Sequence, residues 1–253
     1  MDAIVLAGGK SQEDALSELT GGELKSTLPI AGKPMVQWVL DALSESKTID
    51  QVVVMGIEDT AALTCKKPIH FLPDEGSLIG NMQKASIKLD EIHPQETHAV
   101  SISADIPAIT AGIIDHLVGI YQKAEVDIYY GVGERHVMEE RYPNSKRTYI
   151  KVKKDEICGG DLNCFSKRAV LKPDALWQEL IKSRKNPLKQ AAMIGIDSLL
   201  LLVFGLIDLD QVAERVCRRM GITGKVIKVP FAEVGMDVDK PFQFKIVEAD
   251  LMR

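Results

Sequence analysis

The chain has little with which to cross-link itself or cross a membrane. Its four cysteines, Cys65, Cys158, Cys164 and Cys217, include no CxxC pair, and no histidine stands at zinc-finger spacing from any of them. This argues against a disulfide framework or a thiolate zinc site and leaves ordinary reduced thiols. The most apolar run, Leu199 to Ile207, is interrupted by Gly205. It is about half the length that spans a bilayer, so it reads as a buried helix. No charged segment followed by a long apolar stretch precedes the first glycines, so the opening reads as a strand and turn rather than a secretory signal, and a cytoplasmic location is expected. Positive charge is not in excess: 31 Lys plus Arg face 36 Asp plus Glu, a net charge of -5. A broad nucleic-acid surface needs a concentrated positive field, so no nucleic-acid partner is expected. Internal repeats, low-complexity tracts and Gly/Ser linkers are also missing.

What is present is a soluble globular composition, 45% hydrophobic and 26% charged over 253 residues. A chain of this length buries roughly three-quarters of its unfolded surface, enough for a core without disulfides or a structural metal. Short β-branched runs alternate with helical patterns through the first half, as in a mainly parallel sheet with helices on both faces. Strands are predicted at Ala3–Ala7, Gln51–Ile57, Ile69–Leu72, His98–Ala104 and Val126–Tyr130. The helices between them place Met35, Val39 and Leu43, then Leu78, Met82, Ala85 and Leu89, then Ile113, Leu117 and Ile120 on inward faces. Pro34 suits a first helical turn and Thr110 a cap. After Gly131 the pattern changes: Tyr149–Val152 and Leu162–Phe165 read as strands around Gly159-Gly160, with some antiparallel pairing. Helices dominate from about 170 to 220. Lys225–Val229 and Val234–Val238 read as late β segments, and Pro241 begins the last helix. The expectation is one α/β domain with a helical insertion at about 170–220.

Leu6-Ala7-Gly8-Gly9-Lys10 puts a side-chain-free turn directly after a buried strand, where backbone N–H groups can converge on an anion and phosphate oxygens can approach closely. Alone it is a weak signal, since such turns also serve backbone geometry. The segment is not a Walker A loop and lacks the third glycine of the dinucleotide fingerprint. Asp105, in Ser103-Ala104-Asp105-Ile106-Pro107, stands where a central strand ends, and ligands of open α/β sheets bind outside the carboxyl ends of strands. Asp237 and Asp239, in Gly235-Met236-Asp237-Val238-Asp239-Lys240-Pro241, fall on one side of an extended segment, so both could face one ion or one could cap the helix. Mg²⁺ usually takes one or two protein carboxylates and completes its shell with water and phosphate oxygens, a pattern that Asp105 and Asp237 would satisfy.

The glycine turn together with Lys25-Ser26-Thr27-Leu28-Pro29-Ile30-Ala31-Gly32-Lys33-Pro34 resembles the opening of the nucleotidyltransferase superfamily that includes the molybdenum-cofactor guanylyltransferases and sugar-1-phosphate nucleotidyltransferases. The resemblance covers Met1 to about Phe165 and returns near Val226 to Ala249. It implies a Rossmann-like, three-layer, GT-A-like fold, and a glycine loop (Leu6, Ala7, Gly8, Gly9 and Lys10) around a nucleoside triphosphate. It further implies that Lys25 contacts phosphates, that Asp105 acts as a catalytic metal ligand, and that a late Asp joins it, with Asp237 the better positional match and Asp239 beside it. Gly80 and Asn81 are expected near the nucleobase, and Gly160, Asp161 and Asn163 near an acceptor. Arg141, Lys146 and Arg147 form a basic cluster that could hold an acidic acceptor or simply face solvent.

The chain departs from that family in one respect: Ser11 to Leu24 holds Glu13, Asp14, Glu18 and Glu23 but no basic residue where many members have an arginine. Lys10 and Lys25 are read as sharing that role. The expected activity is Mg²⁺-dependent transfer of a nucleoside monophosphate from an NTP to an unidentified small-molecule acceptor bearing a phosphate or hydroxyl. Two alternatives stay open: a nucleotide-sugar-dependent glycosyltransferase, because Asp237-Val238-Asp239 spells DxD, and an inactive nucleotide-binding regulatory protein. Association into a homo-oligomer is also left open.

Overall fold

The computed structural model describes residues 1–8, 15–58, 60, 62–123, 126–172 and 208–253. In β1 (Asp2–Leu6) the buried Ala3 and Val5 enter one apolar cluster while Ile4 enters another. In β4 (Val52–Met55), Val52 and Val54 likewise oppose Val53 and Met55. Strands that are apolar on both faces need cover on both, which is why these read as continuous hydrophobic runs. One face is covered by α2 (Met35–Glu45) and α4 (Ala111–Tyr121), through Val36, Val39, Leu43, Ile113 and Leu117. The other receives α3 (Leu78–Ile92) and α6 (Lys167–Leu171), through Ala85, Leu89 and Val170. Thr110 caps α4 and Ser77 caps α3 with side-chain oxygens that accept from Ile113 N and Gly80 N.

The remaining strands of the main sheet are β5 (Ile69–Leu72), β6 (His98–Ser103), β7 (Ile128–Glu134), β8 (Ile150–Val152), β9 (Asp155–Gly159), β10 (Leu162–Ser166) and β11 (Gly224–Val229). Their order is β5-β4-β1-β6-β10-β7-β9-β8, with β11 beside β7. Seven of the nine run in one direction and only β9 and β10 oppose them, so the sheet is mixed but mostly parallel. A two-residue ribbon of β2 (Pro29–Ile30) and β3 (Lys33–Pro34) precedes α2, and Pro34 caps that helix from outside instead of entering its first turn. Short α1 (Ser17–Thr20), α5 (Arg135–Arg141), α7 (Leu209–Arg219) and α8 (Pro241–Leu251) complete the described helices. Pro241 is in the first turn of α8, as expected.

β7 is longer than its sequence pattern suggests because its two halves pair differently. Ile128 and Tyr129 lie against β10, Val132 to Glu134 against β9, and β11 runs parallel along the other edge. At the switch, Gly131 N donates to Asn163 Oδ1 and Gly131 O accepts from Gly160 N, both at 2.9 Å. The expected strand at Val234–Val238 is not formed: Ala232–Gly235 is a 3₁₀ turn followed by irregular chain. Its backbone groups are used elsewhere. Val234 O accepts from Asp161 N at 2.8 Å and Val238 N donates to Asp105 O at 2.9 Å, so the segment closes the site instead of extending a ladder. Most of the expected helical insertion, including Leu199 to Ile207, lies outside the described residues. No helix among the described residues is long and apolar enough to cross a membrane.

Candidate active site

Along the carboxyl edge of the sheet, strand order from β5 to β10 brings Asp74, Gly56, Gly8, Asp105 and Asp161 into a row. Gly56 has φ +94°, and a Cβ there would stand 2.3 Å from Gly8 Cα. The two strand ends meet backbone to backbone, which only glycine allows. Gly8 in turn faces the Asp74 carboxyl group, whose Cγ a Cβ at Gly8 would crowd at 3.0 Å. The loop carrying Asp74 is fixed by Asn81, whose Oδ1 accepts from Glu75 N at 2.7 Å and whose Nδ2 donates to Asp74 Oδ1 at 2.9 Å. Gly80 lets the first turn of α3 pack under this loop, since a Cβ would meet Glu75 Cβ and Ser77 Oγ at 2.9 Å. Gly80 and Asn81 therefore shape the wall facing Gly8. The Asn81 amide is engaged within that wall.

Lys25 forms the centre. It begins a 3₁₀ turn in which the buried Ser26 donates through Oγ to Ala7 O at 2.8 Å, anchoring the turn to the end of β1. From there Lys25 Nζ donates to Asp105 Oδ2 at 2.5 Å and Asp239 Oδ1 at 2.6 Å. Burial works against its charge, but Asp105 and Asp239 outweigh that and hold the ammonium well above the usual lysine range. Asp105 is further held by Ser103, whose Oγ donates to Oδ1 at 2.5 Å. Asp239 N donates to the side chain of buried Gln243 at 3.0 Å, which ties this arm to α8.

Asp237, the better match from sequence, pairs with Arg147, and its Oδ1 is buried without an aligned hydrogen bond. Asp237 and Asp239 both line a cavity of about 310 Å³ together with Tyr130, Lys146, Arg147, Thr148, Gly159, Gly160, Asp161 and Lys240. Asp161 is half-buried on this wall, its backbone pinned between Val234 O and Ser103 N. Burial, reinforced by the charge on Asp105, pushes its carboxyl up to about 7. Gly160 permits the approach, since a Cβ would stand 3.0 Å from both Gly131 O and Val234 Cγ1. Asn163 faces the fold instead: Oδ1 accepts from Gly131 N, and Nδ2 donates to Gly160 O at 3.0 Å.

The structure thus draws Lys25, Asp105, Asp161, Asp237 and Asp239 into one electrostatic group, with Gly8 on the flank beyond Ala7. Gly9 and Lys10 lie outside the described residues. Ser26, Ser103, Tyr130 and Arg147 are additional members. Ser26 and Ser103 sit within the stretches that carry Lys25 and Asp105, but nothing in the sequence separates their roles from capping. Arg147 was visible only as one of three clustered cations, of which Lys146 also lines the cavity while Arg141 pairs with Glu233 and Asp250.

The donors suit a hard divalent cation, being carboxylate oxygens gathered at one sheet edge, of which Asp105 and Asp239 share a single lysine. No three of Asp105, Asp161, Asp237 and Asp239 bring oxygens within 4.8 Å of one another. A site using one or two of them is what Mg²⁺ commonly takes.

A doubly covered α/β sheet with a carboxylate–lysine centre at its carboxyl edge puts the candidate site where open α/β folds bind their ligands. Residues 3–184 match the family described as the MobA-like NTP transferase domain, and the chain belongs to that family. It is 28% identical over 162 residues to 3-deoxy-manno-octulosonate cytidylyltransferase of Synechococcus elongatus, a match spanning 62% of each chain. It is 26% identical over 109 residues to the bifunctional protein GlmU of Thermoanaerobacter pseudethanolicus, covering 41% of this chain and 23% of that one. Among solved structures, a hypothetical transferase from Thermus thermophilus superposes with a TM-score of 0.81 at 31% identity over 96% of this chain and 98% of that one. A CMP:2-keto-3-deoxy-manno-octonic acid synthetase complexed with CTP shares the fold at a TM-score of 0.61 and 14% identity, over 99% of this chain and 97% of that one.

Proposed function

We propose that the chain is a Mg²⁺-dependent nucleotidyltransferase that moves a nucleoside monophosphate from an NTP to a phosphate or hydroxyl oxygen of a negatively charged small molecule. The observation that carries this reading is the Lys25 ammonium held between Asp105 and Asp239, beside the Gly8 turn, at the sheet edge where α/β folds bind ligands. The curated relative named as a cytidylyltransferase and the CTP-bound neighbour make CTP the first nucleotide to test.

The geometry divides the work. Gly8 brings the end of β1 close to the Asp74–Asn81 wall and the Gly56 backbone, which fixes the flank of the site beside Lys25. Lys25 supplies positive charge where the triphosphate meets the carboxylates. On the other side, Lys146 and Lys240 have no ion-pair partner among the described residues and both approach the Phe242 ring, at 5.5 and 6.0 Å. Lys240 also stands at the amino end of α8, where the helix dipole disfavours a cation, so an anion there would be drawn by both. The acceptor oxygen attacks the α-phosphorus, forming a P–O bond as the α–β bridging P–O bond breaks; pyrophosphate leaves with the electron pair, and a hydroxyl acceptor releases its proton to water. Bound through Asp105 with Asp239 or Asp237, Mg²⁺ would neutralise charge on the transferred group and pyrophosphate. The chain itself positions reactants and balances charge and needs no covalent nucleophile.

The test is pyrophosphate release from each of the four NTPs, with and without Mg²⁺, across a panel of anionic acceptors. Metal-dependent release with one NTP, lost in Asp105→Asn, is expected. Efficient turnover by Asp105→Asn would overturn the assignment, and consumption of a nucleotide sugar without pyrophosphate would point to glycosyl transfer.

A further inference from the structure

We infer that the opposite end of the sheet carries a second metal site, in which Asp2, Asp50 and His93 hold a zinc-type divalent ion. One ligand atom from each of these residues lies within 4.8 Å of the other two. They come from three segments far apart in the chain: Asp2 opens β1, Asp50 precedes β4, and His93 follows the last turn of α3.

The atom that points to a ligand is Asp2 Oδ2. Asp2 is wholly buried, and its Oδ1 meets His93 Nδ1 at 2.9 Å, but Oδ2 is buried without a hydrogen-bond partner among the described residues. A buried carboxylate oxygen left unpaired is costly, so such an atom in a folded protein calls for a ligand to satisfy it. The surrounding charge calls for the same kind of ligand. The Met1 ammonium lies 2.7 Å from Asp50 Oδ2 and 3.5 Å from Glu96 Oε2, so one ammonium and one imidazole face three carboxylates.

The donor types select the ion. Mg²⁺ and Ca²⁺ favour all-oxygen shells, whereas zinc binds imidazole nitrogen together with carboxylate oxygen. Asp50 is 56% and His93 31% exposed at the side chain, so an ion can enter from solvent and water can complete its shell. As it binds, Asp50 exchanges the Met1 ammonium for the ion. The whole length of β1 separates this site from the Gly8 turn, so the ion would fasten the base of the sheet and take no part in nucleotidyl transfer.

The test uses full-length protein stripped with a chelator, then titrated with ZnCl₂ or, as control, MgCl₂. Thermal unfolding is followed, and retained metal is counted after desalting. Zinc is expected to raise the midpoint by several degrees and to remain at one equivalent, in wild type and in Asp105→Asn alike. That variant separates this site from the catalytic carboxylates. Asp2→Asn, Asp50→Asn and His93→Gln are each expected to weaken retention at least tenfold. His93→Gln, at a partly exposed position, keeps the test valid should Asp2→Asn not fold. Absence of a zinc-dependent shift in the wild type, or full retention in His93→Gln, would overturn the inference.

Discussion

Lys25 Nζ and Asp105 Oδ2 stand 2.5 Å apart although 80 positions separate the two residues in the chain. Their side chains are 19% and 15% exposed, so the pair is shielded enough for its loss to matter. In Lys25→Met, the carboxylates of Asp105 and Asp239 lose the cation they share. Such a change costs about 1–3 kcal/mol when a buried charged group is left without its partner. Urea melts should show a loss of that order, and Mg²⁺ should stabilise the variant more than the wild type because it replaces the missing charge. Nucleotidyl transfer should fall by about 10²-fold or more. A variant as stable as wild type, with no added response to Mg²⁺, would refute this account of the centre.

Gly56→Ala tests the other flank. The position has φ +94°, and the new methyl would be driven to 2.3 Å from Gly8 Cα, a contact that neither backbone can relieve alone. Alanine at positive φ destabilises by more than about 1 kcal/mol even where space exists. The expected result is a larger loss of stability together with weaker NTP binding, read by calorimetric titration. Gly32→Ala is the control: it also has positive φ, but no atom lies within 4 Å of its Cβ, so it should carry the backbone penalty without the nucleotide defect.

Asp161 makes stability depend on pH. Its carboxyl is pushed from an ordinary 3.8 to about 7 by burial and by the charge on Asp105. Between those values the folded state holds a proton that the unfolded state has released, so stability falls as pH rises through this window and levels off above it. Asp161→Asn should match wild type near pH 4 and exceed it at pH 8, in thermal melts without divalent cations. Parallel pH profiles for the two proteins would exclude the assignment.

Much of the scaffold was readable because burial on both faces leaves an unbroken apolar signature, as in Ala3 to Leu6 and Val52 to Met55, and because Thr110 is a cap with a local mechanism. Asp105 was readable for the same reason, standing directly after such a strand. Val234 to Val238 was misread because its alternation is compatible with a strand, whereas its hydrogen bonds go to Asp161 and Asp105, partners that no local pattern names. The extent of β7 depends on β9, β10 and β11, which arrive later in the chain. The same limit applies to Asp237 and Asp239: alternation placed them on one side, but which cation each meets is decided by Lys25 and Arg147, both far away in sequence. Asn163 carried a polar side chain in a suitable place, and only the Gly131 contact reveals that it secures the fork between strands.

Lys146 and Lys240 separate acceptor binding from nucleotide binding. Both are exposed, both line the cavity beside Asp161, and neither has an ion-pair partner among the described residues. Their removal should therefore leave stability within about 0.5 kcal/mol of wild type, as for most surface substitutions. Each lost contact to an anionic acceptor should raise its KM by up to roughly tenfold, equivalent to about 1.4 kcal/mol. The double variant Lys146→Ala, Lys240→Ala should show the sum of the two effects with an unchanged KM for the NTP. The wild-type KM for the acceptor should rise with salt, and the double variant should lose most of that dependence, because exposed charges are screened. If the double variant instead weakens NTP binding and spares the acceptor, the cavity belongs to the triphosphate and the two sides of the site must be exchanged.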